Sequence, residues 1–409
     1  MTPQNFATES FPVSRNVEKM QESKTLKAAQ IAVELREQGF DVIDLSVGEP
    51  DFPTPEFIKE FAWEGLQKNL TKYTPTSGLK TFQESIAEFY AKEFGASFSP
   101  KEVIATDGGK QALFNAVCTL INAGDEVLIP KPYWVTFPEI VNFVGAKSVF
   151  IETAETDFVL TAEQVKKSIT AKTKLLIVNS PNNPTGRVIQ PSEIKKIVEV
   201  CAAENVRVLA DECYLFFAYP PAQVFTAASL PEELRKYVCV AGSFSKTFAM
   251  TGWRIGFTVA NEEWTKAMLK LQSHSTSHPT SFVQYACACA MRNHKKSKKA
   301  VDSMLAEYKK RKDWLIPALR EIENAKCAAP EGAFYAFLDV RGFLGDELKT
   351  SADITDLFLK NAHVVVTDGA SFGAEGYLRI SYATSLENLK KGVAKIKSLL
   401  EATTKKTAT

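Results

Sequence analysis

The sequence predicts an α/β protein with parallel strands under helices, followed by a smaller α+β unit. Three observations lead there. From Val103 onward, short β-branched runs alternate with amphipathic stretches, a pattern that places parallel strands beneath helices covering both faces. After about Lys295 the texture changes to a long Lys-rich helical stretch and then well-separated apolar runs. The chain has 409 residues, 45% hydrophobic and 24% charged, enough for a large core and a cleft between lobes.

Taken in order, "VIAT" (103–106) reads as a strand and "KQALFNAVCTLINAG" (110–124) as the helix after it. Next come strand "EVLIP" (126–130), helix "WVTFPEIVNFVGA" (134–146) and strand "SVFIE" (148–152). "KLLIVNS" (174–180) and "RVLADE" (207–212) are further strands. The stretch "HKKSKKAVDSMLAEYKKRKDWLIPALREI" (294–322) is a long helix whose lysines are a solvated face. "FYAFLDV", "HVVVTDG" and "YLRISYA" are the strands of the smaller unit, and a terminal helix closes the chain.

A formal net charge of +1 gives no reason to expect a nucleic-acid or acidic-surface partner. Seven scattered cysteines lack the paired spacing of a zinc or redox site; they read as small buried hydrophobes in a reducing compartment. The first residues contain no apolar signal core, and no later run approaches the roughly 18 apolar residues a membrane span needs. The expectation is a soluble cytoplasmic protein with no metal.

In a parallel sheet, ligands bind beyond the strand ends, so polar residues directly after apolar runs come first. Gly108 and Gly109 follow "VIAT"; glycines opening a helix bring backbone N–H groups to a phosphate, or simply make a turn. Asn183, in "NSPNNPTG", presents an amide to the cleft or only supports the turn. Asp211, in "DECY", ends an apolar run, where a carboxylate is costly unless a cation meets it. The fourth place is "AGSFSKTFAMTGWRIGF". Here Lys246 lies among Ser243, Ser245 and Arg254. Hydroxyls with a guanidinium suit a phosphate dianion, and a lysine in such surroundings is disfavoured as an ammonium.

Together "SFSKTFAMTGWRIG", "NNPTG", "ADECY" and "YLRISYA", in this order and spacing, resemble the class I aminotransferases of the fold type I pyridoxal-phosphate enzymes. The resemblance runs from about "LSVGEPDFPTP" to the C-terminal lobe. It implies a large domain with a mostly parallel seven-stranded sheet over 48–295, a smaller α+β domain over 296–409, and an N-terminal segment, 1–47, packed with the latter. It implies pyridoxal 5′-phosphate as cofactor, bonded to Lys246 as a Schiff base, and a free Lys246 amine as the base that moves the substrate's Cα proton. By the same resemblance Asp211 pairs with the pyridinium nitrogen, Tyr214 and Asn183 serve the ring's 3-oxygen, and Trp134 lies against the ring. Gly108, Gly109, Ser243, Ser245 and Arg254 form the phosphate cup. Tyr73, in "KYTPTSG", resembles the tyrosine that reaches the neighbouring subunit's phosphate, which implies a homodimer with shared sites.

Arg379, in "YLRISYA", resembles the arginine that grips the substrate's α-carboxylate, and Gly48 the glycine beside it. Animal-type aspartate aminotransferases use a second arginine where this chain reads "LQSHSTSHPTS". The chain instead resembles the bacterial beta subgroup of aspartate and prephenate aminotransferases, in which a lysine after the glycine turn binds the distal carboxylate. Lys110 stands there, assisted in that scheme by Ser23, Thr25 and Ser273; a plain first-turn surface lysine is the other reading of Lys110. The expected reaction passes the amino group of L-aspartate to 2-oxoglutarate. Prephenate, aromatic amino acid or kynurenine transamination is the alternative, with Phe158 and Phe217 as candidates for an apolar pocket. A non-catalytic homologue is disfavoured by the intact lysine, aspartate and anion-binding arginines.

Overall fold

The computed structural model describes residues 12–21 and 24–407. Thirteen strands are found among them: β1 (Ile43–Asp44), β2 (Val103–Thr106), β3 (Glu126–Lys131), β4 (Lys147–Glu152), β5 (Thr173–Asn179), β6 (Arg207–Asp211), β7 (Val238–Ser243), β8 (Gly256–Val259), β9 (Lys326–Cys327), β10 (Tyr335–Asp339), β11 (Val364–Val365), β12 (Thr367–Asp368) and β13 (Tyr377–Ser381). The large sheet has the order β2-β8-β7-β6-β5-β3-β4. Strands β3 to β7 pair in parallel, while β8 is antiparallel to both β2 and β7. The fold is α/β with a mostly parallel seven-stranded sheet.

The central strands are buried on both faces, which explains their unbroken apolar runs. Helix Pro191–Ala203 buries Ile194, Ile197, Val198 and Cys201, one stripe at helical spacing. Helix Ser281–Arg292 packs against helices Glu56–Gln67 and Lys80–Phe94. The second core gathers Leu45, Tyr308, Phe334, Leu378 and Tyr382 around the sheet β12-β13-β10-β9. Long helix His294–Arg320 and helices Ser351–Ala362 and Leu386–Thr407 pack about it.

Several local expectations change. "HVVVTDG" is not one strand: Val364 and Val365 pair in parallel with β1, whereas Thr367 and Asp368 pair antiparallel with β13, so one apolar run serves two sheets. The helix expected over 110–124 is Gly108–Cys118. At its end the Thr119 hydroxyl donates to the Asn115 carbonyl at 2.7 Å, the kind of local bond that competes with helix continuation. The helix expected over 134–146 is shorter, Thr136–Phe143. Among the described residues no helix is long and apolar enough to cross a membrane, and no His/Cys/Asp/Glu group is arranged to hold a metal.

Candidate active site

Three neighbouring strands end together. Asn179 closes β5 and pairs in register with Asp211, which closes β6; Asp211 pairs in turn with Ala241 of β7. The Asn179 amide donates to the Asp211 carbonyl at 3.1 Å, and the Asn183 N–H donates to Asn179 Oδ1 at 2.8 Å. Beyond these ends lies a cavity of about 400 Å³ whose walls include Gly48, Trp134, Asn183, Asp211, Lys246 and Arg379. It opens at the strand C-termini, where an α/β sheet leaves its crevice.

Lys246 sits in the connection between β7 and β8, and its Nζ donates to the Gly48 carbonyl at 2.5 Å. Burial lowers its pKa; the Arg379 and Arg254 charges act in the same sense, against Cys213 and Glu49. The strap bearing Gly48 is fastened on both sides, by Thr251 Oγ1 to Glu49 at 2.7 Å and by Arg311 to Asp51 at 2.8 Å. Asp211 is buried, its Oδ1 accepting the Cys213 N–H at 3.0 Å. Burial pushes its carboxyl up to about 6, moderated by that N–H and by Lys246.

Gly108 opens its helix at φ +75°, and a Cβ there would lie 2.7 Å from Arg254 Nη2. A Cβ on Gly256 would stand 2.6 Å from the Gly108 carbonyl carbon, so the helix start and β8 touch backbone to backbone. Arg254 is held by the Thr251 carbonyl at 2.8 Å and the Asp107 carbonyl at 3.3 Å. Ser243 Oγ accepts the Ser245 N–H at 3.1 Å. Free helix N–H groups, hydroxyls and a guanidinium are the donors that an anion site requires.

Arg379, on β13, reaches in from the second core. Its Nη1 donates to Asn183 Oδ1 at 3.0 Å and its Nη2 to the Ser46 carbonyl at 2.6 Å, while its Nε is buried without a partner among the described residues. A buried guanidinium with no carboxylate partner among the described residues is an anion receptor. Positive groups on either side of a buried lysine amine, whose pKa burial lowers, suit a substrate that carries an amine and carboxylate.

The Aminotransferase class I and II family model matches residues 40–396, spanning all three sheets and every wall of the cavity. The chain belongs to this family. A probable aspartate/prephenate aminotransferase of Aquifex aeolicus is 40% identical over 390 residues, covering 95% of this chain and 98% of that protein. The aspartate aminotransferase of Geobacillus stearothermophilus is 38% identical, with 95% and 99% covered. The solved aspartate aminotransferase from Thermus thermophilus with maleate superposes with a TM-score of 0.90 at 37% identity, covering 95% of this chain and all of that one.

Not every residue anticipated in this aminotransferase lies in the cavity wall. Lys110 is set beside it, its Nζ 5.1 Å from the Trp134 ring centroid; burial, and next Arg254, lower its pKa. Tyr73 is 93% exposed and lines a separate recess of about 500 Å³ with Asp107, His278 and Thr280. Ser273 is exposed and spends its hydroxyl on the Lys270 carbonyl at 2.8 Å. Ser23 lies outside the described residues, as does the side chain of Thr25. Phe217 is wholly buried in the second core, and Phe158 packs edge-on against Phe337 and Tyr377. Neither lines the cavity, so the apolar pocket expected of them is not formed there. Sequence reasoning missed Tyr335, a cavity residue whose hydroxyl meets that of Tyr214 at 2.6 Å. Its only signal was a tyrosine in an alternating aromatic strand, which reads as core.

Proposed function

We propose that this aminotransferase passes the amino group of L-aspartate to 2-oxoglutarate, giving oxaloacetate and L-glutamate, with pyridoxal 5′-phosphate as cofactor. Carrying the reading is a pair of cations without carboxylate partners among the described residues: Arg379 in the cavity and Lys110 against Trp134. Two such groups match the two carboxylates of a dicarboxylic amino acid. Maleate, present in the Thermus structure, is likewise a dicarboxylate.

The residues fit the cofactor. The glycine-opened helix, Ser243, Ser245 and Arg254 would take its phosphate, and Trp134 its ring face. Asp211 is a buried carboxyl that retains acceptor capacity beyond its one bond to the Cys213 N–H and would pair with the ring nitrogen. Asn183 and Tyr214 would serve the ring oxygen. When bound, pyridoxal phosphate supplies an electron sink that stabilises negative charge at the substrate's Cα. The chain's own part is positional and protolytic. Arg379 holds the α-carboxylate beside Gly48, Lys110 holds the distal one, and Lys246 Nζ, whose pKa burial lowers, takes the Cα proton.

We also read the enzyme as a homodimer in which Tyr73, and in the same scheme Ser23, Thr25 and Ser273, complete the partner's site. The exposure of Tyr73 supports this, because an exposed aromatic beside a polar recess is what a two-fold partner would cover. The division into segments 1–47, 48–295 and 296–409 belongs to the same reading. Prephenate, aromatic amino acid or kynurenine transamination is the second reading, and the name of the Aquifex relative favours prephenate among these. A panel of amino donors, with 2-oxoglutarate as acceptor and glutamate formation as readout, tests the proposal. Aspartate is expected to lead; a leading aromatic donor would overturn it.

A further inference from the structure

Tyr335 begins β10 and is completely buried, yet its hydroxyl reaches the cavity. Three contacts fix it. The hydroxyl oxygen lies 2.6 Å from that of Tyr214, the ring lies 4.6 Å beneath the Arg379 guanidinium, and a Cβ on Gly48 would come within 3.1 Å of the hydroxyl. The substrate-carboxylate grip, the strap that receives Lys246 and the Tyr214 phenol therefore converge on one side chain.

A phenol has one proton to give and room to accept, so in an O···O contact of 2.6 Å one tyrosine donates and the other accepts. The Tyr335 hydroxyl makes no other hydrogen bond among the described residues. Arg379 lies directly over its ring, which makes it the better acid of the pair, although burial raises both phenols. Besides each other, the titratable or charged groups facing the pair are Arg379 and Cys213.

We infer that Tyr335 is a positioning residue that donates to Tyr214 and thereby directs the Tyr214 proton into the cavity, coupling that phenol to the arginine that grips the substrate. A hydroxyl that accepts a hydrogen bond is a stronger donor through its own proton. Removing the Tyr335 hydroxyl therefore weakens the bond Tyr214 gives without removing Tyr214. Replacing Tyr335 by Phe keeps a ring beneath Arg379, so the carboxylate grip survives.

The inference rests on the proposed cofactor site, and the test separates the two. Holoenzyme is titrated with acid and base by its visible absorbance in four forms: wild type, Tyr335→Phe, Tyr214→Phe and the double variant. A bond from Tyr214 favours the ionised form of the oxygen it serves. Tyr335→Phe is thus expected to raise the absorbance midpoint by about half to one pH unit, and to add nothing once Tyr214 is already Phe. Affinity for succinate, an unreactive dicarboxylate, should stay within about threefold of wild type because Arg379 is unchanged. Should Tyr335→Phe fold poorly, 3-fluorotyrosine at position 335, a stronger acid of nearly the same shape, should lower the midpoint. An unmoved midpoint in folded, loaded protein, or an equal shift in the Tyr214→Phe background, overturns the assignment while leaving the cofactor site standing. Wild-type protein that takes up no pyridoxal phosphate overturns both.

Discussion

Asp211 and Glu212 are consecutive buried carboxyls with separate employments: Asp211 Oδ1 accepts the Cys213 N–H at 3.0 Å beside the cavity, whereas Glu212 Oε1 accepts the Ala227 N–H at 2.7 Å. Burial pushes Glu212 from 4.5 up to about 8, with the neighbouring Asp211 adding to the rise. Between those values the folded protein holds a proton that the unfolded chain has released, so this group's contribution to stability is present below about 4.5 and is lost as pH rises toward 8. Glu212→Gln keeps an acceptor for Ala227 and cannot ionise. Its melting temperature relative to wild type, measured without cofactor, should climb between about pH 5 and pH 8; a constant difference would mean that Glu212 is already ionised at neutral pH.

Lys246→Ala should leave the fold intact, since the one hydrogen bond its side chain makes among the described residues, to Gly48, is local to the strap. Steady-state transamination should fall by at least about 10⁴-fold, the scale of a lost general base and covalent anchor. Circular dichroism and single-turnover assays on the same sample decide it, and near-normal turnover would end the mechanism proposed above.

Lys110 divides the two substrate readings. If it holds a distal carboxylate, Lys110→Ala should cost kcat/KM for aspartate about 2 to 4 kcal/mol, the effect of leaving a desolvated charge unpaired. Phenylalanine as donor should lose much less. Both donors share Arg379, Lys246 and the anion cup, so their comparison cancels general damage. Equal losses would assign Lys110 to the cofactor or the fold.

The proposed sharing of sites between two subunits can be tested by complementation. Tyr73→Ala and Lys246→Ala subunits, each weak alone, can form hybrid dimers in which one site has both an intact lysine and an intact partner tyrosine. Mixing and reassociating them in equal amounts should restore about a quarter of wild-type activity, from random pairing of two-fold dimers. No recovery, in a mixture shown to exchange subunits, would mean that Tyr73 serves its own chain or none.

Much of this was legible beforehand because strand-end chemistry is local. Asp211, Asn183 and Lys246 each follow an apolar run, and parallel pairing brings such ends to one edge. Less legible were features set by long-range contact. The antiparallel β8 is a four-residue run whose direction no periodicity encodes. Tyr335 owes its role to Tyr214, distant in sequence, and Arg379, on another strand. Lys110 and Tyr73 were named from resemblance, and a single chain sets Lys110 beside the cavity and Tyr73 in a separate recess, neither in the cavity wall.

The Lys246 amine hangs between β7 and β8, whereas the guanidinium facing it belongs to β13, next to last among the elements of the chain. A ribosome therefore makes the reactive group long before the one that chooses what it reacts with. Loss of the C-terminal region would leave a nucleophile without a selector. On the proposed reading competence is thus conferred late, when β13 brings Arg379 to the cavity, and activity with a carboxylate substrate reports that the chain has been made and folded at least that far.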